Sequence, residues 1–197
     1  MTQQQRSEET RSRIISTAFA CFARYGYDAT GVAEICSEAG VSKGAFYHHF
    51  PSKQAVFLEL MKLWLSGVEE ETRKLLSSTL PVPERFMHFA GLIHGISSDA
   101  EGRLNIVLEY YSRASRDKYV WQETVAPYQH FTDLISGVIQ EGIDEGSIRP
   151  VDPQVAARAM VSLAIGILLQ GLVSSQEVDW GQVTQDSLQM FFKGLQT

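Results

Sequence analysis

The chain has few cysteines and prolines, no long hydrophobic run, and none of the short motifs that mark the common enzyme classes. Its two cysteines, Cys21 and Cys36, sit in apolar contexts without CxxC spacing or histidines at metal-ligand distance. That gives a disulfide framework or a zinc site little support, and predicts two reduced thiols in the core. No G-x-S-x-G elbow, P-loop, dinucleotide fingerprint, HExxH or Glu-x-x-His pair of a di-iron bundle occurs, which leaves a helical enzyme without a catalytic constellation. No catalytic residue, metal or cofactor is expected. The longest uncharged run, 159–176, is interrupted by Ser162, Gln170, Ser174, Ser175 and Gln176. It falls short of the roughly 20 predominantly apolar residues that cross a bilayer. The opening MTQQQRSEETRSR has no apolar signal core. A cytoplasmic protein without a membrane partner is the expectation.

What is present is enough apolar material for a sizeable core: 44% hydrophobic and 10% aromatic residues in 197, with a formal charge of -6. The charge is uneven. Residues 1–57 hold six Lys/Arg against five Asp/Glu, leaving eleven against eighteen for the rest. Only the N-terminal part is therefore free of net repulsion toward a polyanion.

Helical periodicity runs through almost the whole chain, and no segment sustains the alternation of a strand. Ile14, Ile15, Ala18, Phe19 and Phe22 share one helix face, stopped near Tyr25-Gly26. Val32, Ile35, Cys36 and Ala39 share another, with Thr30 as its expected N-cap and Gly40 as its stop. A third helix starts at Ser42 and ends before Pro51, since proline disfavours helical geometry in the residue before it. A long helix follows from Lys53 to about Ser77, and the loop PVPER opens the next. Further helices are predicted over 84–97, 101–114, 118–145, 153–174 and 180–195. The class is all-α, with domains expected over 1–52 and 53–197.

The third helix carries the stretch VSKGAFYHHF, Val41 to Phe50. With Ser42 as its cap, Lys43, Gly44, Tyr47 and His48 fall on one stripe, while Phe46 and Phe50 form another that can pack on Val32, Ile35 and Ala39. Two short helices joined by a glycine turn, behind a longer first helix, make the pattern of a helix-turn-helix unit. Lys43 supplies a phosphate-seeking charge, Gly44 allows close backbone approach, and Tyr47 and His48 can donate to phosphates or base edges. Arg6, Arg11 and Arg13 could reach a phosphate backbone or minor groove, or simply solvate the first helix. The neighbouring His48 and His49 point about 100° apart on a helix and are poorly placed to chelate one metal.

The segment TGVAEICSEAGVSKGAFYHHFPSKQAVF, Thr30 to Phe57, resembles the DNA-binding segment of TetR-family transcriptional regulators, and the likeness reaches back to about Thr10. The AGVS turn, the SKG start, the aromatic-Tyr-His pair and the F-x-x-K that follows stand in the family's order and spacing. The resemblance implies an N-terminal three-helix DNA-binding domain followed by an all-helical ligand-binding and dimerisation domain. It also implies that Thr30 and Lys53 hold phosphates, and that Lys43, Gly44, Ala45, Tyr47 and His48, behind Ser42, lie on the recognition helix. The expected function is a homodimeric repressor, released from a palindromic double-stranded operator by a small hydrophobic or amphipathic effector.

Beyond about Leu60 the resemblance is one of architecture. Val155, Ala159, Ser162, Gly166, Ile167 and Gln170 place small residues along one side of a helix, and Val183, Leu188, Phe191 and Phe192 mark the last one. A pair of such helices from each protomer would make a four-helix dimer interface, the arrangement the resemblance implies. Three apolar stripes are core first and ligand wall second. From them Phe89, Ile93, Leu108, Trp121, Tyr128 and Phe131 are candidate ligand contacts, with His94, Tyr111, Asn105 and Gln170 as polar groups to orient the effector. Two other controls fit a DNA-binding protein of this kind: redox sensing through Cys21 and Cys36, and constitutive architectural binding that no small molecule alters.

Overall fold

The computed structural model describes residues 2–98, 103–173 and 178–196, apart from the side chains at 92–98, 103–105, 107, 124 and 172–173. Among the described residues there are nine helices and no strand. They are α1 (Gln3–Tyr25), α2 (Val32–Ala39), α3 (Lys43–His49), α4 (Lys53–Leu76), α5 (Val82–Ser98), α6 (Arg103–Ala114), α7 (Lys118–Asp144), α8 (Pro153–Val173) and α9 (Trp180–Lys193). The all-α class is the one expected, and the predicted helix ends agree within a few residues.

Packing divides the chain into two compact units, Met1–Leu65 with Glu101–Thr124, and Ser66–Ala100 with Val125–Thr197. The first unit takes in the start of α4, α6 and the start of α7 as well as the three N-terminal helices, because they share a core. Ile14, Phe22, Ile35, Phe46, Phe57 and Tyr110 lie in it, all of them almost fully buried. Phe22, Tyr27 and Phe57 pack ring on ring, with Phe57 edge-on to both of the others at 5.6 and 4.8 Å. The first helix is closed at its start by a reciprocal cap. Gln5 N donates to Thr2 Oγ1 and Thr2 N to Gln5 Oε1, at 3.3 and 2.8 Å.

Helix α7 runs through Pro127. A proline at that position cannot donate to the carbonyl four residues back, which is that of Glu123. The hydroxyl of buried Tyr110 donates to this same carbonyl at 3.4 Å, so the acceptor that the proline leaves open is met from α6.

The second unit is built on α5, α8 and α9. Phe86 stacks on Phe192 with centroids 4.9 Å apart, and Leu188, Met160, Ile135 and Ile139 fill the space around them. The end of α7 caps the start of α5: Val82 N donates to Glu145 Oε1 at 2.8 Å, and Arg85 pairs with Glu141 at 2.8 Å. The Ser147 hydroxyl and that Val82 N–H hold the Glu145 carboxyl below its ordinary range. The turn after α7 folds so tightly that a Cβ on Gly142 would stand 2.6 Å from Ile148 Cδ1 and 3.1 Å from Val82 Cβ.

Helix α8 is apolar over Pro153–Gly171, with mean hydropathy 1.4, and is long and apolar enough by composition to cross a membrane. The uncharged run 159–176 misses the start of this stretch, because Arg158 interrupts it. The helix nevertheless carries Arg158, and only 28% of the stretch is buried within the chain.

Candidate nucleic-acid interface

The site begins with the turn between α2 and α3. Gly40 takes the left-handed conformation (φ 62, ψ 39), the Val41 N–H donates to Cys36 O at 3.0 Å and the Gly40 N–H to Ser37 O at 3.3 Å. This is a Schellman ending, and only glycine enters that conformation without strain. Two residues later Ser42 caps α3, its hydroxyl accepting from Ala45 N at 3.1 Å. The two helices therefore meet at a tight corner held by its own hydrogen bonds.

Burial fixes the roll of α3. Phe46 and Phe50 are 0% and 3% exposed, and each contributes roughly 1.5–3 kcal/mol by leaving water. Rotating the helix would surrender both. The opposite face is therefore held outward: Ser42, Lys43, Gly44, Tyr47 and His48 are exposed and Ala45 is half-buried, with Tyr47 54% accessible. Gly44 is informative. A Cβ there would meet nothing nearer than Ser42 Oγ at 3.7 Å, so the protein's own packing does not demand glycine at this point of the helix.

Of the arginines on α1, one is paired. Arg11 pairs with Glu59 at 2.5 Å and lies 5.1 Å from the centre of the Phe50 ring, whereas Arg6 and Arg13 are exposed. Burial, His48 and Arg11 all push the His49 imidazole below its ordinary pKa, so it is neutral at neutral pH. No group of metal-ligating residues forms among the described residues.

Thr30 and Lys53, the implied phosphate contacts, are engaged inside the protein. Thr30 is 1% exposed, and its hydroxyl lies 2.8 Å from Gly26 O and 3.2 Å from Cys21 O. Its inward turn also corrects its expected role as N-cap of α2. Gly31 is the cap, and its N–H is met by Glu34 Oε2 at 3.4 Å. Lys53 Nζ donates to Tyr27 O and Thr30 O at 2.6 and 2.7 Å, and lies 4.2 Å from the Tyr27 ring centre. Burial draws the pKa of this ammonium down. Two of its three donors are used, leaving one for a ligand.

The ligand-contact candidates scatter. Phe89 is buried in the second core and Phe131 half-buried against it, while Tyr128 is exposed. Leu108, Tyr111 and Trp121 belong to the first unit and are also exposed, Trp121 by 52%. The side chains of Ile93, His94 and Asn105 lie outside the described residues. A polar cavity of about 220 Å³ in the first unit is lined by Asp28, Gln54, Glu109, Arg113 and Asp117 among others, and by none of these candidates. Its surroundings, Tyr27 and Arg113 above all, went unread in the sequence. No periodicity links them, and only the pairing of Tyr-Asp after a glycine stop with a distant arginine could have drawn attention.

On α8, Val155, Arg158, Ala159, Ser162, Leu169 and Gln170 are exposed along one side, with Gly166 half-buried between them, whereas Ile167 is buried. On α9, Leu188 and Phe192 belong to the chain's own core and Val183 and Phe191 are half-buried, so α9 offers less of a free apolar face than its spacing suggested.

A short helix pinned by two phenylalanines, with a lysine, a bare glycine, a tyrosine and a histidine turned outward behind a tight glycine corner, defines a helix-turn-helix DNA-binding protein. Residues 14–60 match the family described as bacterial regulatory proteins, tetR family. The chain is 31% identical over 188 residues to the A-factor receptor protein of Streptomyces griseus, covering 94% of this chain and 63% of that receptor's length. Its fold is shared by a transcriptional regulator from Saccharomonospora viridis in complex with choline (TM-score 0.83, 22% identity, 94% of this chain and 96% of that one). The Bacillus subtilis regulator FadR in complex with stearoyl-CoA matches likewise (TM-score 0.80, 19% identity, 93% and 98%). Over residues 14–60 the chain carries the DNA-binding segment of the tetR family of bacterial regulatory proteins.

Proposed function

We propose that the protein is a homodimeric repressor that reads a palindromic operator through α3 and is released from it by a small hydrophobic or amphipathic effector. The observation that carries this reading is the outward face of α3, where the fold itself has no use for Gly44 and leaves Lys43 and Tyr47 uncovered. Ser42, Lys43, Gly44, Ala45, Tyr47 and His48 are the DNA-facing set, with the remaining donor of Lys53 at its edge. The exposed small-residue side of α8, helped by α9, supports dimerisation. A dimer would set two recognition helices about one DNA turn apart, roughly 34 Å.

Effector control is supported by the relatives: two proteins of this fold are known in complex with choline and with stearoyl-CoA, and a related chain is named as a receptor. Within the second unit, Phe89, Tyr128 and Phe131 are the proposed contacts. The effector must bind the released state more tightly than the DNA-bound one, since a ligand shifts an equilibrium only by its differential affinity. The reading requires no catalysis and no cofactor, and it places the protein in the cytoplasm with its operator.

The test is selection of random-sequence duplexes by the purified protein, followed by affinity at two salt concentrations. A recovered palindrome is expected. Lys43→Ala should then weaken binding roughly tenfold or more and flatten the salt dependence, because a phosphate-seeking cation is lost. Sequence-blind binding, or none from protein that mass spectrometry shows to be ligand-free, sinks the reading.

A further inference from the structure

The connection between α1 and α2 is held by side chains from two distant helices. Tyr27, 9% exposed, has the Arg113 guanidinium carbon 3.8 Å and the Lys53 ammonium 4.2 Å from its ring centre. Such contacts strengthen when the groups are partly withdrawn from water. Arg113, on α6, also pairs with the Asp28 carboxylate, and its Nε lies 2.6 Å from Glu109 Oε1 at an angle outside hydrogen-bond geometry. A second tie runs beside the first, from Gln54 Nε2 to Asp117 Oδ2 at 2.9 Å. Ring, carboxylate and two carbonyls of residues 27–30 are thus fixed from α4 and α6, immediately before α2 begins.

We propose that Arg113 is a positioning residue for DNA recognition: by holding Tyr27 and Asp28 it sets the entry of α2, and with it the angle at which α3 presents Lys43 and Tyr47. The proposal rests on the reading of α3 as the recognition helix. The corner between α2 and α3 is closed by its own hydrogen bonds and by the burial of Ile35 and Phe46 in one core. The pair therefore moves as one piece, and the six residues 26–31 that lead into it are where its direction is set. Arg113 does not serve as a phosphate contact. Two carboxylates already neutralise it, Asp117 lines the same cavity, and its side chain is only 27% exposed. A Lys in its place would keep the charge but lose the planar group that stacks on the ring and spans two carboxylates.

The test compares full-length wild type with Arg113→Gln, Arg113→Lys and Asp28→Asn, using the duplex selected by the wild type, across a range of salt concentrations and alongside thermal unfolding. Asp28 has a side chain 85% exposed, and an exposed pair contributes little to stability, so that variant keeps the measurement interpretable if Arg113→Gln fails to fold. Arg113→Gln is expected to weaken DNA binding about tenfold, Arg113→Lys to recover part of the loss, and Asp28→Asn to cost about threefold. All should keep the wild-type salt slope, because no phosphate contact has been removed. Unchanged affinity in folded Arg113→Gln and Asp28→Asn overturns the proposal. So does a flattened salt slope, which would make Arg113 a direct phosphate contact. A ligand-free wild type that selects no duplex removes the proposed function and this inference together, whereas a wild type that selects one while the variants bind equally well removes this inference alone.

Discussion

The outward sides of α3 and α8 differ in chemistry. On α3 the outward residues are a lysine, a glycine, a tyrosine and a histidine on a helix of seven residues. On α8 they are Val155, Ala159, Ser162 and Leu169, with Arg158 and Gln170 beside them, along a helix of 21. In both cases the covered side fits the chain's own core, so the difference lies in what the exposed groups still require. Donors and a cation on a short helix are best met by an acceptor-rich polyanion, and an apolar side with small residues by another helix at close range. The lesson is that exposure alone says little, while the composition of an exposed side narrows the class of partner.

The sharpest way to break this comparison is to give the side of α8 a charge. Ala159→Glu would place two carboxylates near each other in a symmetric contact, each desolvated without a partner. We expect a monomer by sedimentation, with the helical content of the wild type. We also expect a loss of roughly hundredfold or more in affinity for a two-half-site duplex, since the second recognition helix no longer binds at high effective concentration. A variant that stays dimeric would show that the exposed side of α8 is not the contact, and the opposition drawn above would lose one of its terms.

A smaller effect separates two glycines. Gly142 is required by the fold, because a methyl there would collide with Ile148 and press on Val82. Overpacking of that kind costs about 1–3 kcal/mol, and Gly142→Ala should lower the melting temperature with no change in the salt dependence of DNA binding. Gly44→Ala meets open space and removes a poor helix former. It should leave stability unchanged or raise it by less than about 1 kcal/mol, yet weaken DNA binding. If Gly44→Ala bound as tightly as wild type, close approach to a ligand would not be the reason for glycine at that position.

These contrasts also show where the sequence was legible. Helix ends were, because local chemistry writes them: Gly26 and Gly40 as stops, Ser42 as a cap, Pro51 as a terminator. The inward and outward sides of α3 followed from spacing alone. Thr30 misled because a hydroxyl before a helix is the usual cap, whereas here the buried carbonyls of Cys21 and Gly26 compete for it. Leu108, Tyr111, Trp121 and Tyr128 looked like parts of core stripes and stand exposed, since periodicity identifies an apolar side without saying what covers it. Arg113 and Tyr27 could not be joined from sequence, because a contact between residues so far apart in the chain leaves no local pattern.

The smallest expected effect is none at all, and it concerns the interior. Cys21 is 1% exposed, and its thiol donates to the Glu38 carboxylate at 3.4 Å. Burial first, and then Glu38, raise its pKa to about 11, so only about a thousandth is thiolate at pH 8. Cys36 is 5% exposed, and burial raises its pKa also, against a lowering by Lys43. Because the Cys21 thiol ionises more readily in the unfolded chain, its contribution to stability is fully present below about pH 9 and declines as pH rises toward about 11. Redox control needs a reactive, accessible thiolate, and neither residue supplies one. Thiol labelling of the native protein at pH 8 should therefore proceed only as fast as the molecule opens, and mild oxidation should leave DNA affinity unchanged. Rapid labelling of Cys21 with loss of DNA binding would place a redox control point inside the DNA-reading unit, and the partition of function between two exposed helix sides would fail.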